Sequence, residues 1–311
     1  MLFRSTGTND APVVAGTVTG TATEDGTSST LNALVNASDV DGGTTLSVVN
    51  VPAKLPAGVT YDEGTHSFTL DPSNAAYQSL AAGEPLTVTV TYDVTDGLKI
   101  TPASVTWNIT GTNDVPEVTG AVTGTATEGD TSSTLDALAN ASDADDGTIL
   151  SVVNVPETLP AGVTYNPATQ TFTLDPSNAD YQSLAAGESL TVAVTYEVTD
   201  GVEYRPASVS WTITGTNTAA VITGTSQALI NANGTIQSAS GTLSVTDVDS
   251  AQTFQAQSGL TGDYGTFSIN ANGAWTYVMD GPHPELLAGV PYVDTFKVLS
   301  ADGTEAVVTI D

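Results

Sequence analysis

Short runs of alternating apolar and polar residues recur along this chain and predict β-strands. The strands predicted in the first hundred residues are 13–23, 29–37, 46–51, 66–70, 86–95 and 98–110. Asp96-Gly97 separates the last two strands and is a strong hairpin signal. About seven short strands with regularly spaced turns predict an all-β, immunoglobulin-like β-sandwich.

One segment departs from this pattern and predicts one or two helical turns. Asp71 is suited to cap the N-terminus, Pro72 to the first helical position and Gly83 to the end. Tyr77 and Leu80 are three residues apart, so we expect both side chains to pack on the sandwich.

A short motif repeats at a constant interval. Each copy begins 104 residues after the one before. The three copies are Gly7-Thr-Asn-Asp-Ala-Pro12, Gly111-Thr-Asn-Asp-Val-Pro116 and Gly215-Thr-Asn-Thr218. A period near a hundred residues indicates tandem domains, each with its own core. The predicted organisation is an N-terminal tail over 1–6, immunoglobulin-like repeats over 7–110 and 111–214, and a diverged third repeat over 215–311.

Charge restricts the possible partners. The chain has 35 acidic residues against 5 Lys and Arg, for a net charge of −30. Nucleic acid and anionic lipid both need a basic face, so neither is an expected partner. No apolar run approaches the roughly 20 residues of a membrane span, so no membrane insertion is expected. The charge indicates either an acidic surface kept soluble by self-repulsion or a chain neutralised by divalent cations.

Cysteine is absent, which excludes a domain stapled by disulfides. A cytosolic protein and an extracellular protein stabilised by metal both remain open. The chain stops at Val307–Asp311, within a strand pattern. We therefore expect it to be a piece of a longer array.

Acidic residues recur at two kinds of turn. The pairs with one intervening residue are Asp39 with Asp41, Asp143 with Asp145, and Asp247 with Asp249; the hairpin residues are Asp96, Asp200 and Asp302. In an immunoglobulin-like sandwich both loops lie at the end where the linker enters. The sequence therefore predicts one cluster at the start of the second domain: Asn113, Asp114, Asp143, Asp145 and Asp200, with Glu24 of the preceding domain facing them.

All these side chains offer oxygen. Carboxylates and carbonyls on flexible loops favour Ca²⁺ over zinc or copper, and Mg²⁺ demands stricter geometry. The competing interpretation is that Asp and Gly are simply common turn residues.

Several motifs resemble VCBS and bacterial cadherin-like repeats, which build large RTX-type surface adhesins. They are the Gly-Thr-Asn-Asp linker, Thr23-Glu-Asp-Gly26, the paired aspartates, Asp71-Pro-Ser-Asn74, Leu80-Ala-Ala-Gly-Glu84 and Val94-Thr-Asp-Gly97, with Gly241–Asp249 in the third repeat. The resemblance implies an elongated array of cadherin-like sandwiches with Ca²⁺ at the junctions, type I secretion, and an extracellular or cell-surface location in a bacterium.

The resemblance also implies metal ligands by position. The linker pairs are Asn9 with Asp10, Asn113 with Asp114, and Asn217 alone; the first-strand glutamates are Glu24 and Glu128. Thr218 stands where an aspartate is expected, so the second junction is expected to bind fewer ions or to bend more.

The leading hypothesis is a monomeric, calcium-stiffened stalk whose partners are its neighbouring repeats, supporting cell adhesion or biofilm formation. The alternative is a module that binds host or substrate glycans or proteins, through Tyr264, Trp275 and Tyr277 of the third repeat. Trp107 and Trp211 are expected to pack in or against the sandwich. An enzyme is not expected, because near-identical sites recur and no catalytic motif is present.

Overall fold

The computed structural model describes residues 7–231, 235, 237–287 and 289–311, and the predicted N-terminal tail lies outside them. Two compact units can be distinguished. The first contains Met1–Gly120, Leu138–Val155 and Thr195–Ala207, and the second contains Ala121–Ala137, Pro156–Val194 and Ser208–Asp311. The loops at one end of the second repeat therefore belong to the same unit as the first repeat.

The first repeat is built from β-strands of 2 to 11 residues and the turns between them. Its strands are β1 (Val13–Val14), β2 (Val18–Thr23), β3 (Ser29–Asn32), β4 (Ala37–Ser38), β5 (Ser47–Val49), β6 (Val59–Asp62), β7 (Ser67–Leu70), β8 (Pro85–Thr95) and β9 (Ile100–Thr110). They form a four-stranded sheet in the order β2-β9-β8-β5, a three-stranded sheet β3-β7-β6 and a two-stranded sheet β1-β4.

The core of the first repeat follows from the period of two along its strands. In β8 the residues Val88, Val90, Tyr92 and Val94 are buried, while the residues between them are mostly exposed. Trp107 is fully buried in the same core, and its indole Nε1 donates to Ser29 Oγ at 3.2 Å. The prediction that this tryptophan packs within the sandwich is confirmed.

The predicted first strand is wrong in one respect, because the chain breaks it in two. Gly16 has φ +116°, which residues with a side chain rarely adopt. The break sends β1 to antiparallel pairing with β4 and β2 to parallel pairing with β9. The parallel pair places the end of β2 beside the end of β9.

The predicted helical turns are also largely wrong. The first repeat has only turns from Pro72 onward, and Asp71 Oδ1 accepts instead from Ser73 N and Ser73 Oγ. The second repeat has a single 3₁₀ turn, Ala179–Tyr181, which is capped by Asn178. The packing prediction is confirmed, because Tyr77 and Leu80 are both buried.

The second repeat reproduces the elements of the first. Its strands are β10 (Glu117–Val118), β11 (Val122–Thr127), β12 (Ser133–Asp136), β13 (Ala141–Ser142), β14 (Ser151–Val153), β15 (Val163–Asn166), β16 (Thr171–Leu174), β17 (Ser189–Thr199) and β18 (Tyr204–Thr214). The sheet orders are β11-β18-β17-β14, β12-β16-β15 and β10-β13. Trp211 is fully buried and donates to Ser133 Oγ at 3.1 Å, as its counterpart does in the first repeat.

The third segment is also all-β. Its strands are β19 (Val221–Gly224), β20 (Gln227–Ala228), β21 (Ser238–Thr246), β22 (Gln257–Thr261), β23 (Gly265–Ile269), β24 (Ala274–Met279), β25 (Asp294–Leu299) and β26 (Glu305–Ile310). They form a five-stranded sheet, β19-β21-β24-β23-β22, and a three-stranded sheet, β20-β26-β25. Strands β23 and β24 are adjacent in the chain and pair antiparallel as a hairpin. Across the described residues, no helix is both long and apolar enough to cross a bilayer.

Gly111, the first linker residue, offers a test of this packing. A Cβ built on it would lie 2.4 Å from the carbonyl oxygens of both Leu80 and Ala81, whereas a Cβ on Gly7 would meet nothing within 4 Å. Gly111→Ala is therefore expected to lower the free energy of unfolding by about 1–3 kcal/mol. Gly7→Ala, at the same place in the repeated motif, is the matched control and should be neutral. Urea denaturation followed by tryptophan fluorescence measures both, and equal stabilities would contradict this account.

Candidate metal centre at the linkers

The linker between the first and second repeats is hydrogen-bonded to the rest of the chain at both of its ends. Gly111 N donates to Glu84 O at 2.9 Å, and Gly111 O accepts from Gly83 N at 2.9 Å. On the side of the second repeat, Asn113 Nδ2 donates to Asp200 Oδ2 at 2.8 Å. The linker is therefore an ordered segment with polar contacts to both repeats.

Glu24 reaches this linker from the first repeat. It directly follows β2, and its backbone N–H donates to Thr110 O at 2.9 Å. Its side chain is only 2% exposed. One carboxylate oxygen, Oε2, accepts from Thr112 N at 2.9 Å. The other, Oε1, is buried and accepts no hydrogen bond within the described part of the chain.

The acidic turn of the second repeat approaches the same linker. Asp114 N donates to Asp145 Oδ2 at 3.0 Å, and Asp145 N donates to Asp143 Oδ1 at 3.0 Å. Each of these carboxylates keeps one buried oxygen that has no hydrogen-bond donor among the described residues; the three atoms are Asp114 Oδ2, Asp143 Oδ2 and Asp145 Oδ1.

The acidic side chains at this linker influence one another. Burial raises the pKa of Glu24, and the charges of Asp114, Asp25 and Asp145 raise it further, against a hydrogen bond from Thr112. Burial also raises the pKa of Asp114, and the charge of Asp145 adds to the effect. Both carboxylates are therefore harder to ionise than an isolated side chain, which is the expected result of burial together with neighbouring negative charge.

Asp200 behaves in the opposite way because it has enough donors. Burial alone would raise its pKa, but hydrogen bonds from Glu203 N, Asn113 and Val202 N outweigh burial and lower the pKa. Asp200 thus serves as an anchor for the hairpin loop and the linker.

The backbone contact between the linker and the acidic turn recurs at the other two copies of the motif. Before the first repeat, Asn9 Nδ2 donates to Asp96 Oδ2 at 2.8 Å, and Asp10 N donates to Asp41 Oδ2 at 2.8 Å. After the second repeat, Thr218 N donates to Asp249 Oδ2 at 2.6 Å.

The structure therefore places the predicted site residues in three groups. The first linker group is Asn9, Asp10, Asp39, Asp41 and Asp96; the second is Glu24, Asn113, Asp114, Asp143, Asp145 and Asp200; the third is Glu128, Asn217, Asp247, Asp249 and Asp302.

The second linker group fits a hard cation by its chemistry. The atoms that this group offers as metal ligands are all oxygens, and Ca²⁺ prefers oxygen ligands. None of its carboxylates is in an ion pair with Lys or Arg among the described residues. Within the same described ranges, no three His, Cys, Asp or Glu side chains stand close enough together to hold a metal as they are. The unpaired oxygens are thus neighbours at one linker without forming a closed ligand shell.

Two further residues at these groups, Asp25 and Lys99, were not assigned to a site from the sequence. Asp25, beside Glu24, accepts from Gln78 Nε2 at 3.0 Å. Lys99 Nζ donates to Asn9 O at 2.6 Å in the first linker group, and the repeat aligns this lysine with Glu203. Comparing the two repeats position by position would have shown this reversal of charge.

The aromatic residues predicted for ligand contact in the third segment are mostly buried. Trp275 is 1% and Tyr277 is 2% exposed, and Trp275 Nε1 donates to Thr225 O at 2.8 Å. Tyr264 and Tyr277 both line a cavity of about 530 Å³, together with Tyr292 and the buried Asp294. Most of the remaining lining is aliphatic.

Comparison with known proteins gives a consistent picture. The family model described as a cadherin-like domain matches residues 8–110 and 112–214. The structure of mouse cadherin-23 EC22–24 aligns with a TM-score of 0.50 and 15% identity, over 97% of this chain and 98% of that one. Protocadherin gamma B7 extracellular cadherin domains 1–4 align with a TM-score of 0.50 and 16% identity, over 98% and 77%.

The human desmocollin-1 ectodomain aligns with a TM-score of 0.38 and 12% identity, over 97% of this chain; the chain spans 58% of that ectodomain. At these identities the likeness concerns the fold alone. No curated protein sequence matches this one significantly.

The raised pKa values predict how stability depends on pH in a chelating buffer. A group whose pKa is higher in the folded chain binds more protons when folded, so stability falls as pH rises through that window. For Glu24 the window begins at its ordinary value of 4.5 and for Asp114 at 3.8. These two groups should therefore make the folded chain more stable as the pH falls through their raised pKa values toward the ordinary ones.

The variant Glu24→Gln/Asp114→Asn should show a shallower rise in melting temperature over that range. Asp10→Asn, at the position aligned with Asp114 but without a glutamate of a preceding repeat, should keep the slope of the unmodified chain. Calorimetry in EGTA measures all three. Equal slopes in all three proteins would contradict the assignment.

Proposed function

Because this chain belongs to the cadherin-like domain family, we propose that it is a calcium-stiffened extender segment of a secreted bacterial surface adhesin. Its tandem cadherin-like sandwiches are consistent with an adhesion or extender region. The finer assignment, to VCBS repeats of an RTX-type adhesin exported by type I secretion, rests on the linker and turn motifs. Its role is mechanical and non-enzymatic, in support of cell adhesion or biofilm formation.

One observation carries the proposal. Four buried carboxylate oxygens at the second linker group accept no hydrogen bond among the described residues; they are Glu24 Oε1, Asp114 Oδ2, Asp143 Oδ2 and Asp145 Oδ1. Buried polar atoms without a partner are costly and usually have one. A divalent cation would supply the missing positive charge and take the free lone pairs.

The contributions come from three parts of the chain. Glu24 belongs to the first repeat, Asp114 to the linker, and Asp143 with Asp145 to the acidic turn of the second repeat. Glu24 also holds the linker through Thr112 N, and Asp145 holds it through Asp114 N. Drawing these side chains together would therefore restrict the two repeats and the linker at once.

Ca²⁺ is the cation that suits these residues best. It accepts six to eight oxygen ligands at 2.3–2.6 Å in flexible geometry, whereas Mg²⁺ requires near-ideal octahedral geometry. The neighbouring Asn113 amide and the linker carbonyls offer further oxygen. Extracellular calcium would keep the array stiff, and the low calcium of the cytoplasm would leave it compliant enough for export.

The proposal predicts a calcium-dependent gain in stability and stiffness. At a calcium concentration about 100 times the dissociation constant, binding to the folded chain should add about 2.7 kcal/mol. The melting temperature should therefore rise by several degrees, and small-angle scattering should report a larger radius of gyration in calcium than in EGTA.

A pair of matched variants locates the effect. Asp143→Asn/Asp145→Asn keeps the size of the acidic side chains and one acceptor oxygen on each but removes their charge, and it should lose most of the calcium response. Asp39→Asn/Asp41→Asn changes the aligned turn of the first linker group and should retain most of it. If EGTA leaves both the melting temperature and the scattering of the unmodified chain unchanged, the proposal fails.

A second function is favoured by the cavity in the third segment. Its tyrosines could contact a glycan or an apolar side chain of a partner protein, in place of the buried Trp275. Tyr292→Ala should abolish any binding found on glycan or peptide arrays. Tyr204→Ala, an exposed tyrosine of the second repeat, should not. Binding that survives Tyr292→Ala, or no binding by the unmodified chain, would contradict this second function.

A further inference from the structure

We infer that the two linkers between repeats bind different numbers of divalent cations. The linker after the first repeat has the larger set of carboxylate ligands. The linker after the second repeat binds fewer divalent cations and is the more flexible of the two. The inference rests on the proposed function, since it concerns how the same kind of site differs between two places in the chain.

The first observation is the set of available oxygens. At the second linker group four buried carboxylate oxygens are unpaired, contributed by Glu24, Asp114, Asp143 and Asp145; at the third only two are, Asp247 Oδ2 and Asp249 Oδ1, among the described residues. The difference begins in the sequence, because Thr218 replaces the aspartate that Asp114 supplies. Thr218 retains the backbone contact to Asp249 but has no carboxylate to offer.

The second observation concerns Asp302, the hairpin aspartate of the third group. Its two oxygens accept from Ser300 Oγ, Thr304 N, Thr304 Oγ1, Ala220 N and Asn217 Nδ2. A carboxylate has about four lone-pair positions, so these donors fill them.

Asp200, its counterpart at the second group, accepts from three donors in the described part of the chain: Val202 N, Glu203 N and Asn113 Nδ2. Hydroxyl groups of the protein therefore occupy at Asp302 the positions that a cation would need. Even with the aspartate present, this carboxylate is less available than Asp200.

The third observation is a backbone contact between repeats. Asp146 N, in the acidic turn of the second repeat, donates to Ser79 O of the first repeat at 3.0 Å. The aligned turn residue at the next linker is Ser250. Its N–H donates to Asp247 Oδ1 at 3.0 Å, within its own loop. The acidic turn thus makes a hydrogen bond to the preceding repeat at the second group, whereas the aligned residue of the third group makes its hydrogen bond within the turn.

These differences act in the same direction. The second group has more free oxygen, one more carboxylate on the linker and a backbone contact that holds its turn against the preceding repeat. Its ligands are therefore more numerous and more restricted before binding, which favours tighter binding. The third group has fewer free ligands, and one of its carboxylates is already saturated.

A reciprocal exchange of the linker residue tests the cation load in the full chain. Thr218→Asp gives the third group the linker aspartate, and Asp114→Thr removes it from the second. Calcium titration calorimetry should show more or tighter calcium binding for Thr218→Asp and less or weaker binding for Asp114→Thr, since each change adds or removes one carboxylate ligand. Unchanged stoichiometry and affinity in both variants would overturn the inference.

Spin-label distance measurements test the compliance of each joint. The chain has no cysteine, so label pairs can be introduced cleanly at the exposed positions Thr89, Ala193 and Thr295. Thr89→Cys/Ala193→Cys reports on the first joint, and Ala193→Cys/Thr295→Cys reports on the second. Calcium should narrow the distance distribution of the first pair several-fold more than that of the second pair. With Thr218→Asp added, calcium should also narrow the distance distribution of the second pair.

The two possible failures are distinguishable. Equal narrowing of both pairs in the unmodified chain would overturn this inference and leave the proposed function standing. If neither pair narrows, then calcium stiffens no joint, and the proposed function fails together with this inference.

Discussion

Carboxylate charge that the chain cannot neutralise by itself is the constraint on which the linkers depend. The protein has 35 acidic residues and only 5 Lys and Arg, and at the second linker group Glu24 and Asp145 are buried without a basic partner among the described residues. Two unit charges about 4 Å apart repel by about 1 kcal/mol in water and about 4 kcal/mol near a protein surface. The raised pKa values of Glu24 and Asp114 have the direction that such repulsion and burial produce.

The strand order explains why this charge gathers at the linkers. Because β2 runs parallel to β9, the residue after β2 lies beside the residue after β9. The first is Glu24 and the second is Gly111, where the linker begins. The hairpin and the acidic turn supply Asp200 and Asp145 to the other side of the linker. The fold thus brings oxygen side chains from two repeats to every linker that has a repeat on both sides.

Much of the fold could be predicted from the sequence, because strong local signals decide it. The Asp96-Gly97 hairpin, the long strands around it and the burial of Trp107 all follow from alternation and turn chemistry. The break at Gly16 could not be predicted, since partner strands far along the chain decide which sheet each half joins. The capping residues of the Asp71 segment predict a helix. In the structure the Asp71 carboxylate accepts hydrogen bonds from Ser73 and stabilises a turn instead.

The candidate site was predictable in its residues and not in its details. The fixed period brought out the aspartates and the linker asparagines, which the structure places in three groups. The contact of Asp146 with Ser79 depends on backbone groups, and the saturation of Asp302 depends on how the Ser300 and Thr304 hydroxyls are oriented, which the repeated motif does not specify. The structure therefore shows that sites with similar sequence motifs have different hydrogen-bond surroundings.

A crystal structure of the full chain grown in millimolar calcium tests the central claim most directly. The account predicts cation density at the linker after the first repeat, bonded to Glu24, Asp114, Asp143 and Asp145 at about 2.3–2.6 Å. These carboxylates would then have drawn together around one or more ions. Density for water alone between carboxylates that remain apart, at a calcium concentration typical of the extracellular space, would contradict it.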